Sequence, residues 1–272
     1  GALQGVGGER DTYQADRGVV ATGGVSYPLP GSTGDGYRFA QAVGHTVVEP
    51  RGSLVPLCAA GDLCQRLQGL SLRNAGLRVY ENDKKIYSDF GELLFTHFGV
   101  SGPLILSASA HIRRFGAARY RLEIDLKPAL DEQTLDRRLL SDFAKRANSD
   151  FINAFDELLP RKLIEPFVDL TGVPPREKVH DLTKAQRRRV LELMKALPVE
   201  ITGPRPVAEA IVTSGGVSVK EVRPSTLESK LLPGLYFAGE VLDVDAYTGG
   251  FNLQIAWSTG RLAGLSAAGY GK

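Results

Sequence analysis

The stretch from Pro233 to Gly264 constrains the fold of this chain more than any other part of the sequence. It reads PGLYFAGEVLDVDAYTGGFNLQIAWSTGRLAG. The order of residue types predicts a short buried strand over Leu235–Ala238, a Gly239-Glu240 turn, a loop with aspartates, and a helix that follows Gly249-Gly250. Strands that end in glycine beside a helix N-terminus are typical of α/β folds that bind anionic or extended cofactors.

A second strand of the same kind lies near the start of the chain. The apolar run from Arg17 to Thr22 ends at Gly23-Gly24, which predicts a buried strand with a tight exit. Apolar residues at helical spacing then predict a helix from about residue 35 to 43, and another strand follows it. We therefore predict that Val19–Gly24 and the C-terminal stretch are remote halves of one cofactor site.

The sequence between these two halves changes in character twice. From about residue 51 to 130 it contains short β-rich stretches, including a hairpin that turns at Asn82-Asp83, and a helix over Gly102–Phe115. Residues 131–197 are helical, and Thr183 with Gln186 forms a capping box for the last helix. The β character returns after Pro198. This order predicts an α/β domain made of both chain ends, with a β-rich and a small helical insert.

The composition is that of an ordinary globular protein with a balanced charge. The chain has 33 basic and 31 acidic side chains and a formal net charge of +2, so we expect no strong attraction to nucleic acid or to an anionic membrane. No apolar run approaches the roughly 20 residues that span a bilayer. The two cysteines indicate a reducing compartment, and their spacing with the four histidines fits no zinc site. These features predict a cytoplasmic protein without a bound metal.

Two features allow both a structural and a functional interpretation. Glu240 follows a buried strand, so it is placed either to accept hydrogen bonds from sugar or ribityl hydroxyls or only to cap the turn or pair with a lysine. The helix that begins near Phe251 either directs its free N–H groups at a phosphate, a carboxylate or a reduced flavin, or is a plain buried C-terminal helix. The residues alone leave both pairs open.

The remaining patterns do not identify a function: one is ambiguous, and three known motifs are absent from the sequence. The run Arg187–Arg189 suggests a nucleic-acid contact, but its helical spacing without basic surroundings favours a solvated helix face. Neither a GxGxxG turn that opens a βαβ unit nor a GxxxxGK[ST] loop occurs, and no serine lies in GxSxG.

Three long blocks of the sequence resemble one enzyme family. They are VVATGGVSYPLPGSTGDGYRFAQAVGHTVV, GELLFTHFGVSGP and VTSGGVSVKEVRPSTLESKLLPGLYFAGEVLDVDAYTGGFNLQIAWSTG. Together they are similar to the BaiN/YhiN-type flavoproteins, FAD-dependent and NAD(P)-linked oxidoreductases that include aminoacetone oxidase-like and bile-acid reductase-like members. The resemblance spans about residues 11–268.

The resemblance implies a fold and a function. Residues 1–51 and 206–272 would form a partial Rossmann-like FAD-binding domain. A β-barrel-like insert would cover 52–130 and 198–205, and a helical subdomain would cover 131–197. The implied reaction is FAD-mediated hydride transfer between NAD(P)H or oxygen and a small organic substrate, with no nucleic-acid or membrane partner.

The resemblance also implies which residues hold the cofactor. The strand exit Ala21-Thr22-Gly23-Gly24 would lie beside FAD, and Gly239-Glu240 would hold its ribityl–phosphate portion. The segment beneath the isoalloxazine ring would consist of Gly249, Gly250, Phe251, Asn252, Leu253 and Gln254.

One departure from the family pattern bears on cofactor binding. Such proteins hold the ADP half of FAD with an initial strand, a GxGxxG turn and a helix, and we expect this segment to be missing from the chain. We therefore expect either a natural or engineered fragment of a redox enzyme, or a chain whose missing segment is supplied in another way. A non-catalytic binding protein that keeps the fold is the alternative, and a nucleic-acid-binding module built on the basic helices is a third hypothesis.

We predict that the isolated chain binds FAD weakly or not at all, because half of the cofactor would lack its protein contacts. The visible absorbance of the purified protein measures this directly. Purification of the chain with one yellow flavin per molecule would contradict the prediction.

Overall fold

The computed structural model describes residues 3–7 and 11–270. Its strands are β1 (Gly5–Gly7), β2 (Thr12–Gln14), β3 (Gly18–Val20), β4 (Val47–Ser53), β5 (Leu57–Ala59), β6 (Ser71–Glu81), β7 (Lys84–Phe95), β8 (Gly99–Ser101), β9 (Tyr120–Asp125), β10 (Leu197–Pro204), β11 (Val212–Val217) and β12 (Leu235–Phe237). Its α-helices are α1 (Asp35–Ala42), α2 (Leu63–Arg66), α3 (Pro103–Ser109), α4 (Glu132–Lys145), α5 (Arg161–Thr171), α6 (Lys184–Lys195) and α7 (Phe251–Ala267).

These elements form two compact units. The terminal unit consists of the described residues up to Val55 and from Arg205 onward, and the insert unit runs from Pro56 to Pro204. Each unit has a hydrophobic core made of its own residues. The finer division predicted from the sequence, into 1–51 with 206–272, 52–130 with 198–205, and 131–197, stays a prediction.

Six strands of the insert unit close into a barrel in the order β10-β5-β8-β7-β6-β9. All neighbouring pairs are antiparallel. Strict alternation along β9 buries Tyr120, Leu122 and Ile124 inside the barrel. The predicted fold class, α/β with a barrel-like and a small helical insert, is therefore confirmed.

The hairpin between β6 and β7 turns at the predicted residues. Asn82 has φ 47° and Asp83 has φ 70°. Two successive left-handed residues are typical of a type I′ turn, whose twist matches that of the flanking strands. The predicted helix over Gly102–Phe115 is too long, because α3 ends at Ser109. The residues after it form the connection that returns the chain to β9.

The helical part of the insert unit packs around four phenylalanines. Neighbouring rings of Phe143, Phe151, Phe155 and Phe167 meet at steep angles with centroids 5.0 to 6.5 Å apart. The capping box predicted at the start of α6 is present, with both Thr183 and Gln186 contributing their side chains. These four rings belong to the same hydrophobic core as the buried residues of the barrel.

Acidic neighbours pair with two members of the arginine run on α6. Arg187 lies 3.0 Å from Asp136, and Arg188 lies 3.2 Å from Glu132 and 3.0 Å from Glu192. Residues 131–197 contain 13 basic and 12 acidic side chains. These pairs favour a solvated helix face over a nucleic-acid contact at this position.

A buried histidine joins three segments of the terminal unit. His45 is 4% exposed, and its Nε2 lies 2.7 Å from Ser229 Oγ. Its ring packs edge-on against Phe237 at 4.9 Å, and its Nδ1 lies 3.3 Å from the Glu221 carboxylate. Burial lowers the pKa of His45 below its usual value of 6.5, while the Glu221 carboxylate opposes this shift.

We predict that the terminal unit loses stability as the pH falls through the region of His45 titration. Because the pKa of His45 is lower in the folded protein, the unfolded chain takes up its proton first, near pH 6.5, and acid then favours unfolding. This contribution to the free energy of unfolding is complete above the unfolded pKa and decreases below it. Trp257, the single tryptophan of the chain, lies in the terminal unit and reports its unfolding in urea.

The His45→Gln variant isolates this effect, since it should flatten the pH dependence between about pH 7 and 5. Glu221 acts in another range. Its pKa is lowered by the hydrogen bond from the Thr46 backbone, so its contribution is lost only when acid protonates it in the unfolded chain, near pH 4.5. A free-energy difference between wild type and His45→Gln that does not change from pH 7 to 5 would contradict the prediction.

Candidate functional site

The two remote halves predicted from the sequence are neighbouring strands. β3 pairs with β12 in parallel, with Gly18 opposite Leu235 and Val20 opposite Phe237. The Ala238 N–H extends the ladder by donating to Val20 O at 3.0 Å. Because parallel strands end at the same edge of a sheet, Ala21–Gly24 and Gly239-Glu240 leave this sheet side by side.

The exit of β3 is shaped by two glycines. Gly23 has φ +75°, a left-handed conformation that glycine adopts without strain. A side chain at Gly24 would overlap Thr213 Oγ1 and would place its Cβ 2.8 Å from Glu240 Oε1. The sequence at this exit is therefore fixed by backbone geometry and by close approach of the Glu240 side chain.

Glu240 connects the exit of β3 with strand β11. Its Oε1 accepts hydrogen bonds from Thr213 N at 2.6 Å and from Ser26 Oγ at 3.0 Å. Thr213 Oγ1 in turn accepts from Val25 N at 2.8 Å and from Ser26 N at 3.1 Å. Sequence reasoning missed Thr213 and Ser26, since they lie 187 positions apart and nothing in the sequence pairs them with Glu240.

The other carboxylate oxygen of Glu240 remains available to a ligand. Within residues 3–7 and 11–270, no hydrogen bond or ion pair involves Oε2. Glu240 lines a cavity of about 410 Å³ whose walls come entirely from the terminal unit. Aliphatic side chains form much of this wall: Leu54, Ile211, Val212, Val244, Leu253 and Ile255. Such a volume, mostly apolar with a few polar groups, is typical of small-molecule sites.

The N-terminus of α7 borders the same cavity. Gly249 (φ +110°) and Gly250 (φ +89°) precede the helix in conformations that favour glycine, and no side chain caps it. The first helical hydrogen bond runs from Gln254 N to Gly250 O at 3.0 Å. The amides of Phe251, Asn252 and Leu253 therefore lack helical acceptors, and this end of the helix carries partial positive charge.

The side chain of Asn252 holds the loop that precedes the helix. Its Oδ1 accepts from Ala246 N at 2.8 Å, and its Nδ2 donates to Ala246 O at 2.7 Å. In the same loop, Asp245 accepts from Ser53 Oγ at 2.7 Å. These bonds position the loop beside the cavity and engage both polar atoms of the Asn252 side chain.

The predicted cofactor residues fall into three groups. Glu240, Gly249, Gly250, Asn252 and Leu253 line the cavity described above. Ala21 and Thr22 line a second cavity of about 360 Å³, which also lies in the terminal unit and has mostly apolar walls from β1, β3 and α1. The remaining five line neither cavity: Gly23, Gly24, Gly239, Phe251 and Gln254. The role of all these residues in cofactor binding stays a prediction.

A tyrosine that sequence reasoning did not select lies near the acidic residues. Tyr37 of α1 is 6% exposed, and its hydroxyl has no hydrogen-bond partner among the described residues. Burial raises the pKa of Tyr37 to about 12, and the charges of Glu240 and Asp243 contribute in the same direction. Helical spacing marked Tyr37 as a core residue, and only the structure reveals the nearby carboxylates.

The interpretation of α7 as a plain buried helix is wrong. Of its 17 residues, only Ala263 and Ser266 are buried. Phe251, Leu253 and Trp257 expose more than half of their surface. The helix contacts the turn after β12 through Thr259, whose Oγ1 accepts a hydrogen bond from Gly239 N at 2.9 Å.

Comparison with known families agrees with this architecture. Residues 51–212 match the family model described as "HI0933-like protein barrel and H2TH domain", which covers more than half of the chain. The chain belongs to this family. The HI0933-like proteins are flavoproteins of the BaiN/YhiN type, so the resemblance seen in the sequence is confirmed.

Three curated relatives are similar over nearly the whole chain. A ribosomal RNA dihydrouridine synthase of Haemophilus influenzae is 32% identical over 257 residues, 93% of this chain and 61% of the relative. A 3-dehydro-bile acid delta(4,6)-reductase of Clostridium scindens is 30% identical over 258 residues, which are 94% of this chain and 63% of the relative. A ribosomal RNA dihydrouridine synthase of Escherichia coli is 31% identical over 250 residues, which are 91% of this chain and 60% of the relative. This chain thus spans about three fifths of the length of these relatives.

These comparisons bear on the expected partners. Two of the relatives are named for ribosomal RNA, which is at odds with the expectation that excludes nucleic acid. None of the helices in the described part of the chain combines the length and the apolar character that a membrane crossing needs. The same residues contain no group of three or more His, Cys, Asp or Glu side chains arranged to hold a metal ion.

We predict that Thr213→Val destabilises the terminal unit by about 1–3 kcal/mol, because the buried N–H groups of Val25 and Ser26 lose their acceptor. Urea denaturation followed by Trp257 fluorescence measures the change. Thr213→Ser is the matched control, since it keeps the hydroxyl and should retain most of the stability. Wild-type stability of Thr213→Val, or a larger loss in Thr213→Ser than in Thr213→Val, would contradict the prediction.

Proposed function

We propose that this chain supplies the flavin-ring part of an FAD site in an NAD(P)H-linked reductase. The observation that carries the proposal is the parallel pairing of β3 with β12, which brings Ala21–Gly24 and Gly239-Glu240 to one sheet edge. Membership of a flavoprotein family supports FAD as the ligand. The cavity beside this edge and the N-terminus of α7 then offer a place for the ring.

The residues at this edge fit the chemistry of a flavin. A flavin joins a flat, largely apolar ring system to a chain of hydroxyl groups, and the cavity joins aliphatic walls to the Glu240 carboxylate. Two buried hydroxyls in the same unit, Thr22 Oγ1 and Tyr37 Oη, have no partner among the described residues. Because an unpaired buried polar group costs about 1–3 kcal/mol, a polar ligand atom or a water there would stabilise the protein.

Each part of the site would have a separate task. Glu240 Oε2 would accept a hydrogen bond from a ribityl hydroxyl, while Oε1 stays bonded to Thr213 and Ser26. The first-turn amides of α7 would stabilise negative charge at the ring. The aliphatic walls would exclude water from the reacting face. FAD, when bound, would supply the hydride chemistry itself.

The reaction class that fits best is reduction of a carbon–carbon double bond. One set of relatives is named for the synthesis of dihydrouridine, which has two hydrogens more than uridine, and another for a delta(4,6)-reductase. In such a reaction NAD(P)H is oxidised and gives up a hydride, which reaches one carbon of the double bond. A proton from solvent or a side chain adds to the other carbon.

We propose two substrate classes for this reaction. A small organic molecule with a conjugated double bond is the first, in line with the relative named for a bile acid. A uracil base within RNA is the second, and the two relatives named for ribosomal RNA favour it. The two classes place different demands on the protein surface, because RNA also presents a phosphate backbone.

We predict that Glu240→Gln weakens flavin binding about tenfold without unfolding the site. Glutamine keeps an acceptor for Thr213 N and Ser26 Oγ, but it replaces the free acceptor Oε2 with an N–H donor. FMN is a suitable probe, because it carries the ring and the ribityl chain without the adenosine part. Quenching of Trp257 fluorescence by FMN measures the affinity of the full chain.

Glu49→Gln provides the matched control for the loss of one carboxylate. Glu49 is an exposed residue of β4 and lines neither cavity, so its variant should bind FMN like the wild type. Unchanged FMN affinity in Glu240→Gln would remove Glu240 from the site. Weak FAD binding by the chain alone is compatible with this proposal, because FAD also carries the adenosine part. The absence of saturable quenching by FMN, which tests the ring part alone, would overturn the proposed flavin site in the wild type.

A further inference from the structure

The insert unit contains a strongly basic segment that the ion pairs of the helices do not explain. Residues 110–121 include four arginines and no acidic residue. They form the connection between α3 and β9 and the first two residues of β9. Two lysines, Lys84 and Lys85, begin strand β7 directly after the hairpin turn. The sequence does not predict that these basic residues form one patch, because they are divided between stretches that lie 25 or more positions apart.

Backbone and side-chain bonds bring these two segments together. Asn82 N donates to Arg119 O at 2.9 Å, and Arg119 N donates to Asn82 Oδ1 at 2.9 Å. The β6–β9 ladder continues this contact by pairing Glu81 with Tyr120. The hairpin turn and the α3–β9 connection therefore form one continuous surface at one end of the barrel. We name it the basic turn surface and define it by five residues: Lys84, Lys85, Arg113, Arg114 and Arg119.

All five side chains of the basic turn surface belong to exposed residues. Within the described ranges, Lys84, Lys85 and Arg113 form no ion pair. Arg119 pairs with Asp83, and Arg114 lies 3.6 Å from Glu81. The two arginine side chains are 74% and 66% exposed, and such surface pairs contribute little. The excess of positive charge at this end of the barrel exceeds the net charge of +2 on the entire chain.

The helical part of the insert unit provides the contrast. Its 13 basic side chains are nearly balanced by 12 acidic ones, and Arg187 and Arg188 of α6 take part in ion pairs. A concentrated patch such as the basic turn surface is the electrostatic footprint of a polyanionic partner.

We propose that the basic turn surface contacts the phosphate backbone of RNA. The proposal rests on the RNA branch of the proposed function, and it adds where the polymer is held. Lysine and arginine side chains neutralise phosphates and release counterions, so the contact provides affinity and leaves recognition of the base to the flavin site. Guanidinium groups such as that of Arg113 also match phosphate oxygens in a bidentate manner.

The test is RNA binding by the full chain and by two variants with equal charge. The first replaces Lys84, Lys85 and Arg113 with glutamine. The second replaces three exposed helix cations that likewise lack ion pairs in the described residues: Arg137, Lys184 and Arg189. The probe is a fluorescein-labelled single-stranded RNA of mixed sequence, and fluorescence anisotropy is measured over a series of salt concentrations.

Loss of three phosphate contacts should weaken binding by the first variant roughly tenfold or more at about 50 mM salt, and should reduce the slope of log K against log salt by about 2. The second variant should bind like the wild type. Equal weakening in both variants would show only an effect of net charge and would overturn the proposal. So would absence of RNA binding by the wild type, or loss of binding to vesicles of anionic lipid while RNA binding is unchanged.

FMN binding keeps this proposal separate from the proposed flavin site. Both triple variants retain all residues of that site and should bind FMN with wild-type affinity. RNA binding that depends on the basic turn surface, together with absent FMN binding, would reject the flavin site alone. The reverse result would reject the RNA surface alone.

Discussion

The terminal unit depends on the parallel pairing of β3 with β12. These strands are short, and residues Leu235, Tyr236 and Phe237 of β12 are all buried, so packing on both faces holds the pair in place. The pairing decides where the chain places its two glycine exits. Glu240 then fixes their relative position, because one of its oxygens binds the β11 backbone and the Ser26 hydroxyl. The shape of the candidate site follows from these few contacts.

The insert unit is organised by a different constraint, the closure of its barrel. Closure leaves no unpaired edge in the sheet, and it carries the β6–β7 turn to the connection before β9. Basic residues that are remote in sequence thereby become neighbours. In the helices of the same unit, each of several arginines has an acid within reach. Similar overall composition thus gives two surfaces with different electrostatic character.

Sequence reasoning identified the elements that depend on local patterns. The capping box at Thr183, the left-handed turn at Asn82-Asp83 and the helix at Phe251 all have signals within a few residues. It also predicted that two distant strands lie together, since glycine exits after buried strands are a recognisable pattern, and the two strands pair in the structure. The boundaries of α3 were wrong, because its end depends on where the following connection must meet Glu81 and Tyr120, a long-range requirement.

The parts that sequence reasoning missed are those that depend on contacts between remote residues. Thr213 and Ser26 are common residue types in unremarkable positions, and only folding makes them partners of Glu240. The same holds for the unpaired hydroxyl of Tyr37, which a helical pattern describes only as a core residue. The sequence already favoured a solvated face for the arginine run, and the structure adds the acidic partners of Arg187 and Arg188, which are remote in sequence or on the next turn.

Glu240 shows why structural and functional interpretations of one residue need not exclude each other. A carboxylate has two oxygens, and here the protein engages only Oε1 while Glu240 lines the cavity. The internal bonds restrict the side chain to one orientation, so a ligand that binds Oε2 would not have to order it at a cost in entropy. The structural role of Glu240 would therefore lower the entropic cost of binding a ligand through Oε2. This coupling also explains why an amide at position 240 is expected to preserve the fold and to affect the ligand.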